Sequence, residues 1–215
     1  GLSQTSPIHA SLIMTTTPIL VLIASSILIG ERITPLKVVG IGLGAAGAIL
    51  LILQGKATIN DASSMLGDLL VFINASSYGI YLVLVKKLMQ RYRPTTVIAW
   101  VFFFGFLFVT PFGLPTLSSV EWHTFFPLFC LAVAYLLLLT TFLVYLLNAF
   151  ALSLVQASVV SIYIYLQPLF AALIAILWQQ DQLDGRKVLA ASLIFLGVYL
   201  VSRPPKRVHR PASIN

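Results

Sequence analysis

The sequence predicts an all-α, polytopic membrane protein with seven transmembrane helices, and three observations carry that expectation. Of 215 residues, 59% are hydrophobic and only 9% charged, against about 25% charge in an ordinary soluble domain; the mean hydropathy is +1.00. Asp, Glu, Lys and Arg are absent from residues 1–29, 38–54, 94–120 and 122–180, and a bilayer core about 30 Å thick asks for roughly 20 apolar residues per helix. The last of these gaps is 59 residues long, which is too much for one helix and must hold two joined by an uncharged turn. This composition excludes a water-soluble globule, a disordered tail and a fibrous repeat.

Taken in order, the expected spans are 8–29, 36–53, 66–85, 95–112, 125–148, 155–178 and 184–202. The turn inside the longest gap is placed at 148–153, its most polar and least bulky stretch. The seventh span has only 15 uncharged residues, 188–202. It still crosses, because Arg186, Lys187 and Arg203 can bury their stems and lift their charges toward the headgroups.

The net charge is +7, and the basic residues cluster between the apolar segments. Counted in alternate loops, one side receives Arg32, Lys37, Lys86, Lys87, Arg91, Arg93, Arg203, Lys206, Arg207 and Arg210, and the other only Lys56, Arg186 and Lys187, ten against three. The first side is therefore expected in the cytoplasm of a cell whose inner (plasma) membrane holds the protein, with the tail 203–215 as a cytoplasmic, lipid-facing end. Membrane lipid is the expected partner of these charges. Nucleic acid is not, since no basic face interleaved with aromatics sits on a soluble domain. Cys130 is alone in an apolar run, so neither a disulfide framework nor a cysteine metal site is expected. His9, His123 and His209 are not spaced as metal ligands.

An internal repeat reorganises this list of spans. At a constant offset of 150, Ser11 falls on Ser161, Pro18 on Pro168, Glu31 on Asp181, Lys37 on Lys187, Val38 on Val188, Gly47 on Gly197 and Leu50 on Leu200. Spans one and two thus match spans six and seven, and spans three to seven form a complete five-span unit. Because five is odd, consecutive units enter the membrane from opposite faces, in keeping with the charge count. Three further spans, about 85 residues by the same offset, would complete the first unit, so the chain reads as truncated at its N-terminus.

The residues that carry this order are themselves informative. The run from Pro18 through Gly30-Glu31-Arg32 to Pro35, followed by the glycine-rich stretch from Val39 to Leu53, resembles the EamA-like branch of the drug/metabolite transporter superfamily. The second copy departs from it, with Gln180-Asp181-Gln182 where the family often has Gly-Glu-Arg. The resemblance implies a ten-helix fold of two inverted five-helix repeats, of which this chain would supply helices four to ten. Residues 1–53 would be the last two helices of the first repeat, 54–65 the linker, 66–202 the second repeat and 203–215 the tail.

Two motifs invite a wrong reading. Gly42-Leu43-Gly44-Ala45-Ala46-Gly47 has the letters of a dinucleotide-binding loop, but such a loop joins a strand to a helix, whereas this one lies within a span. No cofactor is expected. Gly40 with Gly44, or Gly44 with Ala48, offers instead the small-residue spacing of close helix packing, within the monomer or across a homodimer. Asp68, about one turn into the third span, is the acid nearest to membrane depth and reads as an interfacial helix-start residue.

The polar residues within the spans recur at helical spacing. Asn74, Tyr78 and Tyr81 share a face of the third span; Thr141, Tyr145 and Asn148 share one on the fifth; Gln156, Tyr163 and Gln167 on the sixth; Ser11, Thr15 and Pro18 on the first. In hydrocarbon such groups must face a partner or water, and four stripes together predict a central cavity. The expected substrate-binding residues are Thr15, Asn74, Tyr78, Tyr81, Tyr145, Tyr163 and Gln167. Pro18 and Pro168 are the expected hinges, each removing a mid-span hydrogen bond to the residue one turn earlier, Met14 or Ile164. The function this implies is a secondary transporter of small organic metabolites by alternating access, its small-molecule substrate neutral or zwitterionic, such as an amino acid. The alternative is a seven-helix receptor or a structural membrane protein; a retinal protein would place its lysine mid-span, whereas Lys187 sits at an edge. An enzyme is not expected, since no nucleophile and base lie together at membrane depth.

Overall fold

A computed structural model of the protein describes residues 1–54, 64–118, 126–179 and 183–203. Among these residues there are helices and no strands, and seven helices are long and apolar enough to cross a membrane: α1 (His9–Ile29), α2 (Pro35–Leu53), α3 (Met65–Leu88), α4 (Pro94–Pro115), α5 (Phe129–Leu154), α6 (Ala157–Leu177) and α7 (Gly185–Ser202). Lys56, Glu121, His123, Asp181, the linker after Gln54 and the tail beyond Arg203 lie outside the described residues.

The helix ends follow from local chemistry. Pro35 and Pro94 open α2 and α4, where a missing N–H costs nothing. Asp184 caps α7, its carboxylate accepting the Lys187 N–H at 2.8 Å, so the span with the fewest apolar residues has a firm start. Gly30, at φ 69°, ends α1 in the left-handed region that glycine adopts at little cost. One expectation is corrected here. The turn of the long gap is not at 148–153 but at Val155 and Gln156, because α5 continues as helix through Leu154 and Val155 is its extended cap. Asn148 and Ser153 turn nothing: the Ser153 hydroxyl donates to the Phe150 carbonyl at 2.6 Å within the helix, which removes the polarity that suggested a loop.

The chain forms two compact units. The first comprises residues 1–19, 32–73 and 162–215, and its spine is α2 packed antiparallel on α7. Gly40 lies against Gly197, a Cβ on Gly40 falling 2.8 Å from the Gly197 carbonyl, and Gly47 lies against Ala190, at 2.6 Å from its carbonyl. Shifted by 150, Gly40 becomes Ala190 and Gly47 becomes Gly197. Residue i of one helix thus meets the counterpart of j on the other, and j meets the counterpart of i. That reciprocity is what a local two-fold axis produces, and since α2 and α7 run antiparallel the axis lies across them. The small-residue stripe is occupied by this contact.

The second unit comprises residues 20–31 and 74–161. Its core contains Val21, Leu82, Val83, Val85, Val97, Ile98, Ala149, Leu152 and Ala157, all buried. α4, by contrast, exposes Trp100, Phe103, Phe104, Phe106, Phe108 and Phe112, an apolar face of the kind that lipid or another apolar surface covers.

Candidate functional site

Two helices are broken at positions related by the repeat, and both breaks fall among residues of the first unit. α1 consists of Pro7–Met14 and Thr17–Ile29, parted at Thr15 and Thr16; α6 consists of Ala157–Ile162 and Leu166–Leu177, parted by a 3-10 turn at Tyr163–Tyr165. Each break precedes a proline, Pro18 or Pro168, by about a turn. The cause is the absent N–H together with the clash of the ring with the carbonyl four residues earlier. The backbone tightens to compensate: Thr15 N–H bonds the Leu12 carbonyl at 3.1 Å, and Thr16 N–H bonds that of Ile13 at 3.0 Å. The Thr15 and Thr16 hydroxyls donate to the same carbonyls, at 2.6 and 2.7 Å, as membrane helices do where the regular ladder is interrupted.

The breaks are tied together. Tyr165, the counterpart of Thr15, is fully buried and donates its hydroxyl to the Thr15 carbonyl at 2.9 Å. Its ring occupies the place that any side chain on Gly44 would have to take. Beside this contact opens a cavity of about 430 Å³, lined by Leu2, Pro7, Ala10, Ser11, Met14 and Thr15 from the N-terminal segment and α1, by Ala48 and Ile52 from α2, and by Ile164, Tyr165, Gln167, Pro168 and Ala171 from α6. Met14 and Ile164, the residues facing the two prolines, both line it. Its wall is apolar, with Ser11, Thr15, Tyr165 and Gln167 as polar points, which suits a small solute with few charges.

In the second unit, Tyr78, Tyr81 and Tyr145 come together. The rings of Tyr78 and Tyr81 stack at 6.0 Å, Tyr81 meets Tyr145 edge-on at 5.8 Å, and Phe102 completes the cluster 5.7 Å from Tyr145. The Tyr81 hydroxyl is buried and has no hydrogen-bond partner among the described residues. Two residues short of Tyr145 ends a stretch, Leu136–Leu143, in which α5 widens into a π-helix and the Thr141 hydroxyl reaches the Leu136 carbonyl at 3.0 Å. Such a stretch rotates the residues after it relative to a plain α-helix.

The sequence-predicted site residues therefore separate into groups. Thr15, Gln167 and Pro168 line the cavity; Tyr78, Tyr81 and Tyr145 form the aromatic cluster; Pro18 is buried behind its break. Asn74 is exposed, and Tyr163 is 49% exposed. Two further clusters carry charge. In the second unit Glu31 is buried and accepts from the Ser158 hydroxyl, while Lys86 donates to the Leu152 carbonyl at 2.8 Å within electrostatic reach of Glu31. In the first unit Asp68 holds Thr5 and His9. Periodicity missed Tyr165, whose signal was its place opposite Thr15 in the repeat, and missed the pairing of Asp68 with His9, which no spacing reveals.

Antiparallel small-residue packing about a local two-fold, with a proline-broken helix on each side of a cavity, defines a polytopic, inverted-repeat membrane protein. The comparisons narrow this class. The model of the EamA-like transporter family matches residues 1–53 and 65–203, and the chain belongs to that family. It is 27% identical to an uncharacterized transporter of Archaeoglobus fulgidus over 94% of its own length and 69% of that protein's. It is likewise 27% identical to the uncharacterized transporter YyaM of Bacillus subtilis, over 94% of its length and 66% of YyaM. A chloroplastic WAT1-related protein of Arabidopsis thaliana is 26% identical, and the chain spans 50% of it. The crystal structure of another protein superposes with a TM-score of 0.74 at 21% identity, over 94% of this chain and 69% of that one, and shares the fold.

Proposed function

We propose that the protein acts as a secondary transporter of small organic metabolites by alternating access, in the inner (plasma) membrane with its C-terminus in the cytoplasm. Its solutes are neutral or zwitterionic, amino acids among them. The observation that carries this reading is the pair of proline-broken helices, one from each side of the repeat, flanking a cavity of about 430 Å³. Discontinuous helices at a repeat interface are where such transporters hold their solutes, and rocking about that interface is how they change access. Residues 1–53 then close a first repeat and 66–202 form the second. Thr15 and Gln167 supply hydrogen bonds to the solute, Pro18 and Pro168 the hinges, and Tyr78, Tyr81 and Tyr145 an aromatic surface. Family membership and the transporter names of its relatives favour this over a receptor or an enzyme.

The test is counterflow in proteoliposomes: entry of radiolabelled threonine, methionine or phenylalanine against an excess of the same unlabelled amino acid inside. Gln167→Ala is expected to slow entry severalfold with the protein still folded. Absence of counterflow for every amino acid, or an unchanged rate in both Gln167→Ala and Tyr78→Ala, would reject the assignment.

A further inference from the structure

The segment before α1 and the start of α3 meet at one end of the first unit. Gly67 permits this approach, since a Cβ there would sit 2.6 Å from the Gln4 carbonyl. In the first turn of α3, Asp68 places a carboxylate at the start of a membrane-spanning helix. Its two oxygens have separate partners: the Thr5 hydroxyl donates to Oδ1, and His9 Nδ1 lies 3.3 Å from Oδ2. His9 sits in the first turn of the Pro7–Met14 segment, its own N–H capped by the Ser6 hydroxyl at 3.2 Å, so the imidazole is held on an ordered element. About a third of each side chain, 33% for His9 and 31% for Asp68, is exposed. The groups that act on Asp68 among the described residues are Thr5 and His9; Lys56 and Asp61 lie in residues 55–63, outside them.

We propose that His9 and Asp68 form a proton-exchange site that couples solute movement to protons, an inference resting on the transport function above. Imidazole is the side chain whose charge changes between about pH 5 and 8, and here its Nδ1 lies 3.3 Å from a carboxylate oxygen. Deprotonated, the pair carries one negative charge. One proton bound at the imidazole makes the pair neutral, with Nδ1–H donating to Asp68 Oδ2, and the same proton leaves when the pair parts. The link to the solute is the element that bears His9: Pro7, Ala10, Ser11 and Met14, all of that segment, line the cavity. The break at Thr15 and Thr16 lets the segment tilt, so that protonation decides how firmly a wall of the cavity is fastened to α3.

Two measurements on the protein in liposomes test this. With amino-acid counterflow as the reference, a pH gradient is expected to drive accumulation in the parent, and in Asp68→Asn that accumulation falls to the value without a gradient, relative to each protein's own counterflow. His9→Gln behaves likewise. A gradient that drives nothing in the parent, or drives Asp68→Asn as well as the parent, overturns the proposal. Nitrogen-15 imidazole spectra give the second reading, independent of any solute: the His9 titration moves when Asp68 becomes Asn, and an unmoved titration refutes the pair. Missing counterflow in the parent rejects the transport function instead, and the pair is then judged by the spectra.

Discussion

At the scale of single residues, the contacts that matter are those where a side chain has no room or a polar atom has one partner. Gly197 has Gly40 and Gly44 backbone against it. Gly197→Ala is expected to destabilise the protein by about 1–3 kcal/mol, since neither backbone can yield without disturbing the other helix. Gly42 faces open space, and Gly42→Ala is expected to be neutral or stabilising by up to about 1 kcal/mol from helix propensity. Reversible unfolding in mixed detergent micelles distinguishes the two; equal effects would mean that α2 does not pack on α7 through this face. Tyr165→Phe removes the donor to the Thr15 carbonyl and is expected to cost about 0.5–1.5 kcal/mol in the same assay, while slowing counterflow because the two breaks lose their tie. The letters of the sequence name these residues but not their neighbours: Gly42 and Gly44 are two apart, and only one of them carries the Tyr165 ring.

At the scale of elements, the broken helices were legible because proline acts locally. Its ring and missing N–H disturb the turn upstream, and α1 and α6 both break there, whereas α4 runs as unbroken helix through Pro111 and Pro115, so a proline marks where a break can fall and the surrounding packing decides whether it does. The π-helical stretch of α5 was not legible. Leu136–Leu143 is LLLLTTFL, an ordinary apolar run, and nothing in its composition marks a change of period. The end of α5 was misplaced for a related reason, since serine and asparagine in a span satisfy themselves against the preceding turn and need not form a loop. Pro18→Ala restores the N–H and permits an unbroken α1. The expected outcome is slower counterflow with equal or greater thermal stability, because a hinge is lost and a hydrogen bond gained. A variant that transports at the parent rate would show that the break has no part in the cycle, and one that unfolds would show that Pro18 is needed for the fold.

At the scale of the whole molecule, the number of crossings and the charge of the loops decide orientation. With the seven membrane-spanning helices of the described residues each crossing once, the residues after α3 and those before α7 fall on opposite faces. In a Cys130→Ser background, Arg91→Cys is expected to react with an impermeant thiol reagent only from the cytoplasmic side, and Asp184→Cys only from the other. Labelling of both from one side would remove the inverted arrangement and the transport cycle built on it.

The sequence by itself determined the membrane as solvent, the seven helices and the repeat, because each depends on quantities that add along the chain: apolar length, loop charge and constant spacing. Only the tertiary structure decided that Gly40 meets Gly197, that Tyr165 closes on Thr15, and that Asp68 is held by Thr5 and His9, residues 63 and 59 positions away. Such pairs join residues distant along the chain, and their geometry exists only once the helices have packed.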